Sequence, residues 1–133
     1  MMGKTNIFTL LTTIVMQFVV GYLWYGAHLF GDVMTAGGGH GVDFLHLDVI
    51  SLLLIVLSSY GLVYVLDMVM GGVKDIGGAI KSGLTVGGFA VGLPIVMLLN
   101  LLGFSHIILL VVFTHLVLVT ILTSIIILKM KKV

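Results

Sequence analysis

Four long apolar stretches, broken only by scattered polar and small residues, divide this chain: about Ile7 to Tyr25, Leu47 to Met70, Ala79 to Leu102 and Ile107 to Leu128. A helix needs about 20 predominantly apolar residues to cross the hydrocarbon of a bilayer. Each stretch meets that length. Between them lie a long connection from His28 to His46, a short glycine-rich one around Gly71 to Gly78, and a tight turn from Gly103 to His106. No room remains for a separate soluble domain. The pattern predicts an all-α integral membrane protein, in which residues 1–133 form a single four-transmembrane-helix bundle.

Composition agrees with this pattern. With 60% hydrophobic and 8% charged residues, and a mean hydropathy of +1.34, the chain lies far from soluble usage, where about a quarter of residues are charged. Cysteine is absent, which removes disulfides, thiolate metal sites and thiol nucleophiles together. A net charge of +1 gives no case for a nucleic-acid partner.

The six basic residues carry the orientation instead. With four spans and both termini cytoplasmic, Lys4, Lys74, Lys81, Lys129, Lys131 and Lys132 all face the cytoplasm, and the two outer connections carry no lysine or arginine. Three spans would divide the lysines between the two sides. Lys4 ahead of an apolar run also begins like a signal peptide, but no small-residue cleavage site precedes Tyr22-Leu23-Trp24-Tyr25, so the first span is read as retained.

Inside the spans, small and polar residues mark faces turned toward protein. Thr9, Thr13, Gln17 and Gly21 recur every four residues on the first helix, a stripe that continues to Trp24 or Tyr25. On the third, Ala79, Gly83 and Gly87 share that spacing, and Gly88 and Gly92 repeat it on a neighbouring face, so the third helix is expected to be the central one. On the second, Ser51 and Ser58 share one face, and Tyr60, Tyr64 and Asp67 another. Asp67 falls near the cytoplasmic end, where pairing with Lys74 or a C-terminal lysine is the ordinary expectation.

Pro94 cannot donate to the Ala90 carbonyl, and a bend is expected there. Counting about 1.5 Å per residue from the outer ends places Gln17, Ser58, Pro94 and His115 at nearly one level, with Asn100 nearer the outer surface. Gln17, Ser58, Asn100 and His115 therefore form a candidate intramembrane polar layer, with His115 its only ionisable member. An ionisable residue in a span points to a proton or solute path. The alternative is interhelical glue, a neutral imidazole bonded to Gln17, a serine or the Ala90 carbonyl.

The first connection holds His28, Asp32, His40, Asp43, His46 and Asp48. Imidazole and carboxylate together suit zinc, nickel or copper(II), so His40, Asp43 and His46 are candidate ligands of a divalent metal. Helix capping by Asp43, with a solvated His46, accounts for the same residues. Gly37-Gly38-Gly39-His40-Gly41 has neither a preceding strand nor a following lysine, and reads as linker instead of phosphate cradle.

The segment Leu23-Trp24-Tyr25-Gly26-Ala27-His28-Leu29-Phe30-Gly31 resembles a motif of small prokaryotic four-span proteins grouped as domain-of-unknown-function family 1761. That family carries Leu-Trp-Tyr-x-x-x-Leu-Phe-Gly at the end of its first helix, with an asparagine late in the third and a histidine in the fourth, positions that Asn100 and His115 match. Asp32, Val33 and Met34 stand where the family has a basic residue and a tryptophan. The resemblance implies the four-span fold and a prokaryotic cytoplasmic membrane, and no activity. Physically, Trp24 and Tyr25 suit headgroup level while Leu29, Phe30 and Gly31 turn the chain back, making an interface motif.

No nucleophile–base pair, carboxylate dyad or firm metal triad can be assembled, so a non-catalytic role is expected. The first class is a structural or accessory subunit that packs with itself as a homo-oligomer, or with a larger membrane complex, through the small faces around Gly83, Gly87, Gly88 and Gly92. The second is a small transporter or channel using the polar layer around His115, Gln17 and the Pro94 kink.

Overall fold

A computed structural model describes residues 7–25 and 49–131. Its described residues are helical, without strands, and comprise four helices long and apolar enough to span a membrane: α1 (Ile7–Tyr25), α2 (Val49–Val69), α3 (Ile76–Leu101) and α4 (His106–Lys131). Large side chains such as Phe8, Ile50, Leu53, Phe89, Met97 and Leu110 are exposed around the outside. In water such a surface would aggregate; in a bilayer the acyl chains cover it.

The third helix begins three residues before the expected Ala79, because Asp75 caps it. The Asp75 carboxylate accepts from the Gly78 N–H at 2.8 Å, satisfying a donor that has no partner within the helix. At the other end Gly103 adopts φ +91°, and the Phe104 N–H reaches the Leu99 carbonyl while the Gly103 N–H reaches that of Asn100. This paired termination needs a residue tolerant of positive φ. The fourth helix runs beyond the expected Leu128 to Lys131.

Proline acts differently from the simple bend expected at Pro94. The segment Thr85–Gly92 just before it is π-helical, between α-helical ends Ile76–Leu84 and Leu93–Leu101, and the Leu93 N–H bonds back five residues to the Gly88 carbonyl. Pro94 itself is exposed. The wider winding accommodates the donor that proline lacks.

The central helix is α4, not the third helix. It packs against each of the other three, and 33% of its span is buried within the bundle, against 17–22% for the others. The glycine stripe of α3 is directed at this one neighbour. A Cβ on Gly83 would lie 2.6 Å from the Ile121 Cα and 2.8 Å from the Thr120 carbonyl oxygen, and one on Gly87 would overlap the Thr120 side chain. Facing it, α4 offers its own small stripe of Thr120, Thr123 and Ser124, all buried. Each hydroxyl bonds a carbonyl one turn back, Thr120 to Leu116, Thr123 to Val119 and Ser124 to Thr120, so none requires a partner across the seam. Gly92 lies against the Phe113 ring, whereas a Cβ on Gly88 would meet nothing nearer than 4.0 Å. The two small faces of α3 are therefore not equivalent.

Below this seam, Val63 and Leu66 of α2, and Met70 just after it, pack with Ala79 and Val86 of α3 and Ile127 and Leu128 of α4. Lys74, Lys81, Lys129 and Lys131 all fall at this end of the bundle, hereafter the lysine end. Asp67 is here too, 2% exposed and thus inside the packing instead of on the rim.

Candidate functional site

The four-residue stripe of α1 is a packing face. Thr9 and Thr13 are buried, and the Thr13 hydroxyl donates to the Thr9 carbonyl at 2.9 Å, so both hydroxyl and backbone are served locally. One helical turn further, Gln17 is too long for that local bond and crosses to α2. Its Nε2 donates to Ser59 Oγ at 2.9 Å and, more weakly, to Ser58 Oγ at 3.4 Å. Ser59 is fully buried and Ser58 is exposed. Sequence spacing pointed to Ser58; adjacent serines stand about 100° apart on a helix, and only packing decides which one faces the neighbour.

Near the far end of α1, Trp24 turns inward. Its indole Nε1 donates to the Val111 carbonyl of α4 at 3.1 Å, and its ring meets that of His115, tilted by 39° with centroids 6.5 Å apart. The ring thus joins two helices at the end of α1. A second carbonyl bond is already present there, since Thr114 Oγ1 also reaches Val111 O at 3.0 Å. Tyr25 closes α1, while Leu29, Phe30 and Gly31, like the candidate metal ligands His40, Asp43 and His46, lie outside the described residues. Among the described residues no group of three metal-ligating side chains converges.

From the level of Gln17 toward the lysine end lies a cavity of about 340 Å³, lined by Gln17 of α1, Ser58, Gly61, Leu62 and Val65 of α2, Val86 and Val91 of α3, and His115, Leu116, Val119 and Thr120 of α4. Gln17 is eight residues from the end of α1, and Ser58 and His115 each nine from the start of their helices. At about 1.5 Å per residue they share a level about 12–14 Å in from the end opposite the lysines. The expected polar layer of Gln17, Ser58 and His115 thus gathers in one space. Asn100 does not join it. It is exposed on the last turn of α3, beside the Gly103 turn, about 9 Å along the axis beyond Pro94.

The π-helical segment shapes one wall. With hydrogen bonds spanning five residues, positions five apart stack nearly above one another, so Val86 and Val91 both reach the cavity. In an α-helix they would diverge by about 140°. Gly61 widens the opposite wall, for a Cβ there would have nothing within 4 Å.

Chemically the space is apolar with a few convergent hydrogen-bonding groups, the usual makeup of a small-molecule site. Gln17 has one polar atom of its amide, Oε1 as oriented here, with no bond among the described residues. The Ser58 hydroxyl donates to the Ile55 carbonyl at 3.2 Å and retains acceptor capacity. No protein-family model, curated protein or solved structure matches this chain.

Proposed function

We propose that this chain is a multi-pass protein of the prokaryotic cytoplasmic membrane, of the four-span kind that its Leu23-to-Gly31 segment resembles, which binds a small molecule in its membrane-embedded cavity and carries or presents it. The observation that supports this reading is the cavity itself, where Gln17, Ser58 and His115 converge among apolar walls. The accessory-subunit class loses its main argument, because the Gly83 and Gly87 face is occupied by α4 of the same bundle.

One observation keeps the subunit reading as a second. Tyr60 and Tyr64 are 47% and 44% exposed within the α2 span, where lipid offers a hydroxyl no partner. Another membrane subunit would.

Native mass spectrometry of the detergent-purified protein separates the two. Wild type is expected to carry a small-molecule adduct that Gly61→Leu, whose side chain fills the cavity, lacks. A bare monomer mass for wild type rejects ligand binding, and a complex with other chains, or with copies of itself, favours the subunit reading.

The same reading has both termini in the cytoplasm, and the gathering of lysines at one end of the described bundle supports it. Cysteines introduced at Gly38 and at Lys74 then label differently with a membrane-impermeant reagent on intact cells. Position 38 is the one expected to react; reaction at 74 alone inverts the topology.

A further inference from the structure

We infer that the cavity opens sideways into the bilayer through a cleft between α2 and α3, and admits a neutral, membrane-dissolved molecule with an apolar body and a hydroxyl-type head. This rests on the ligand-binding reading above and adds the route and the chemical class of the ligand.

The route follows from how the helices pack. Contacts between α2 and α3 centre on the first segment of α3, Ile76–Leu84, beside the turn that joins them. Past Val86, which still joins the core with Val63 and Leu66, the π-helical segment packs mainly onto α4 and the cavity lies between it and α2. Val65 lines the cavity and is 44% exposed. It stands four residues from the end of α2, within the span, so the opening at Val65 is at membrane depth. What passes there comes from lipid.

The lining sets the ligand. Leu62, Val65, Val86, Val91, Leu116 and Val119 are aliphatic, and no lysine, aspartate or glutamate is among the residues around the space. Apart from His115, no ionisable side chain lines the space, so a charged head at this depth would lack a fixed counter-charge, at high cost in hydrocarbon. A hydroxyl donates and accepts at once. It therefore suits the unused polar atom of Gln17, whichever way that amide is turned, or can donate its one proton to Ser58 instead. A volume of about 340 Å³ lies at the small end of the range for ligand sites, about 300–1,000 Å³, so the head and the adjoining part of a chain fit inside and the rest extends toward lipid.

Trp24 is the only tryptophan in the chain, and it contacts His115 on the cavity wall. Its fluorescence therefore reports a heavy atom near the polar end. The test uses the full chain in phosphatidylcholine vesicles, titrated with 2-bromododecan-1-ol, with its anionic counterpart 2-bromododecanoate, and with acrylamide as the water-borne quencher. Gly61→Leu fills the cavity where a Cβ meets nothing, and Val65→Phe narrows the opening should the first variant fail to fold. The expected result is saturable quenching by the alcohol in wild type, at least a twofold loss of emission, reduced in the variants to the linear term of simple partitioning. The bromoacid should show only that linear term. Equal linear quenching by the alcohol in wild type and variants overturns the inference. If the filling variant instead protects Trp24 from acrylamide and not from the alcohol, the cavity is reached from water; ligand binding then stands and the lateral route falls.

Discussion

Two stretches of α4, less than one helical turn apart, meet their neighbours in opposite ways. Toward the lysine end, Thr120 and Ile121 touch the backbone of α3 at Gly83 and Gly87, with no space for a methyl group. Toward the other end, His115, Leu116 and Val119 border open volume, which Thr120, at the junction, reaches as well. Lipid provides no hydrophobic drive for helices to associate, so close backbone approach and interhelical hydrogen bonds must supply it. The seam uses the first means and the cavity layer the second: one region is held by the absence of side chains, the other by a few long polar ones that reach across. A site built in the second way can remain hollow without its helices separating.

The seam should be the more fragile of the two. Gly83→Ala forces backbone apart at Ile121 and is expected to cost about 1–3 kcal/mol, read as a fall in unfolding midpoint in mild detergent. Gly88→Ala, on the face that was expected to pack equally, should stay within about 0.5 kcal/mol of wild type. Equal losses for both would mean that the α3–α4 seam is not where the bundle is tightest.

Much of this was legible from spacing. Four apolar runs announced four helices, and a four-residue period found the buried Thr9 and Thr13 and, one turn on, the half-buried Gln17. Depth counting brought Gln17, Ser58 and His115 to one level, because rise per residue is fixed once a helix is assumed. Azimuth was the weak point. The choice between Ser58 and Ser59, the inward turn of Trp24 and the centrality of α4 depend on which neighbour lies opposite, and a single sequence carries that poorly. Thr120, Thr123 and Ser124 were missed although they lie in one short stretch of α4; their proximity to the glycine stripe in space was the unseen signal. The π-helical segment was hidden as well, since proline announces a lost donor without saying how the backbone absorbs it.

The cavity layer responds to loss of its polar ties. Gln17→Leu removes the bonds to α2 and should cost about 0.6–2 kcal/mol, the range for interhelical hydrogen bonds in membranes. Of the two serines, Ser59→Ala should reproduce most of that loss and Ser58→Ala little, because the buried hydroxyl at 2.9 Å is the better acceptor. A larger effect at Ser58 would place the tie on the cavity side and would reduce the room left for a ligand head.

The smallest effect is expected at the other tie. Trp24→Phe keeps an aromatic ring beside His115 but deletes the indole donor to Val111, whose carbonyl still shares the Thr114 hydroxyl, 3.0 Å away, with the Leu110 carbonyl at 2.9 Å. An acceptor with a second donor is not left stranded, so the loss should be below about 1 kcal/mol. Trp24→Ala removes the ring as well and should cost more, through the packing lost between α1 and α4. Unfolding midpoints of the two variants, compared at one detergent concentration, separate hydrogen bond from ring. If Trp24→Phe were as damaging as Trp24→Ala, the bond itself would hold α1 to α4, and the cavity layer would depend on directional polar ties at both Gln17 and Trp24. If instead only the alanine variant is weakened, α1 is held at this level by aromatic packing, and Gln17 supplies a directional contact that sets its register against α2.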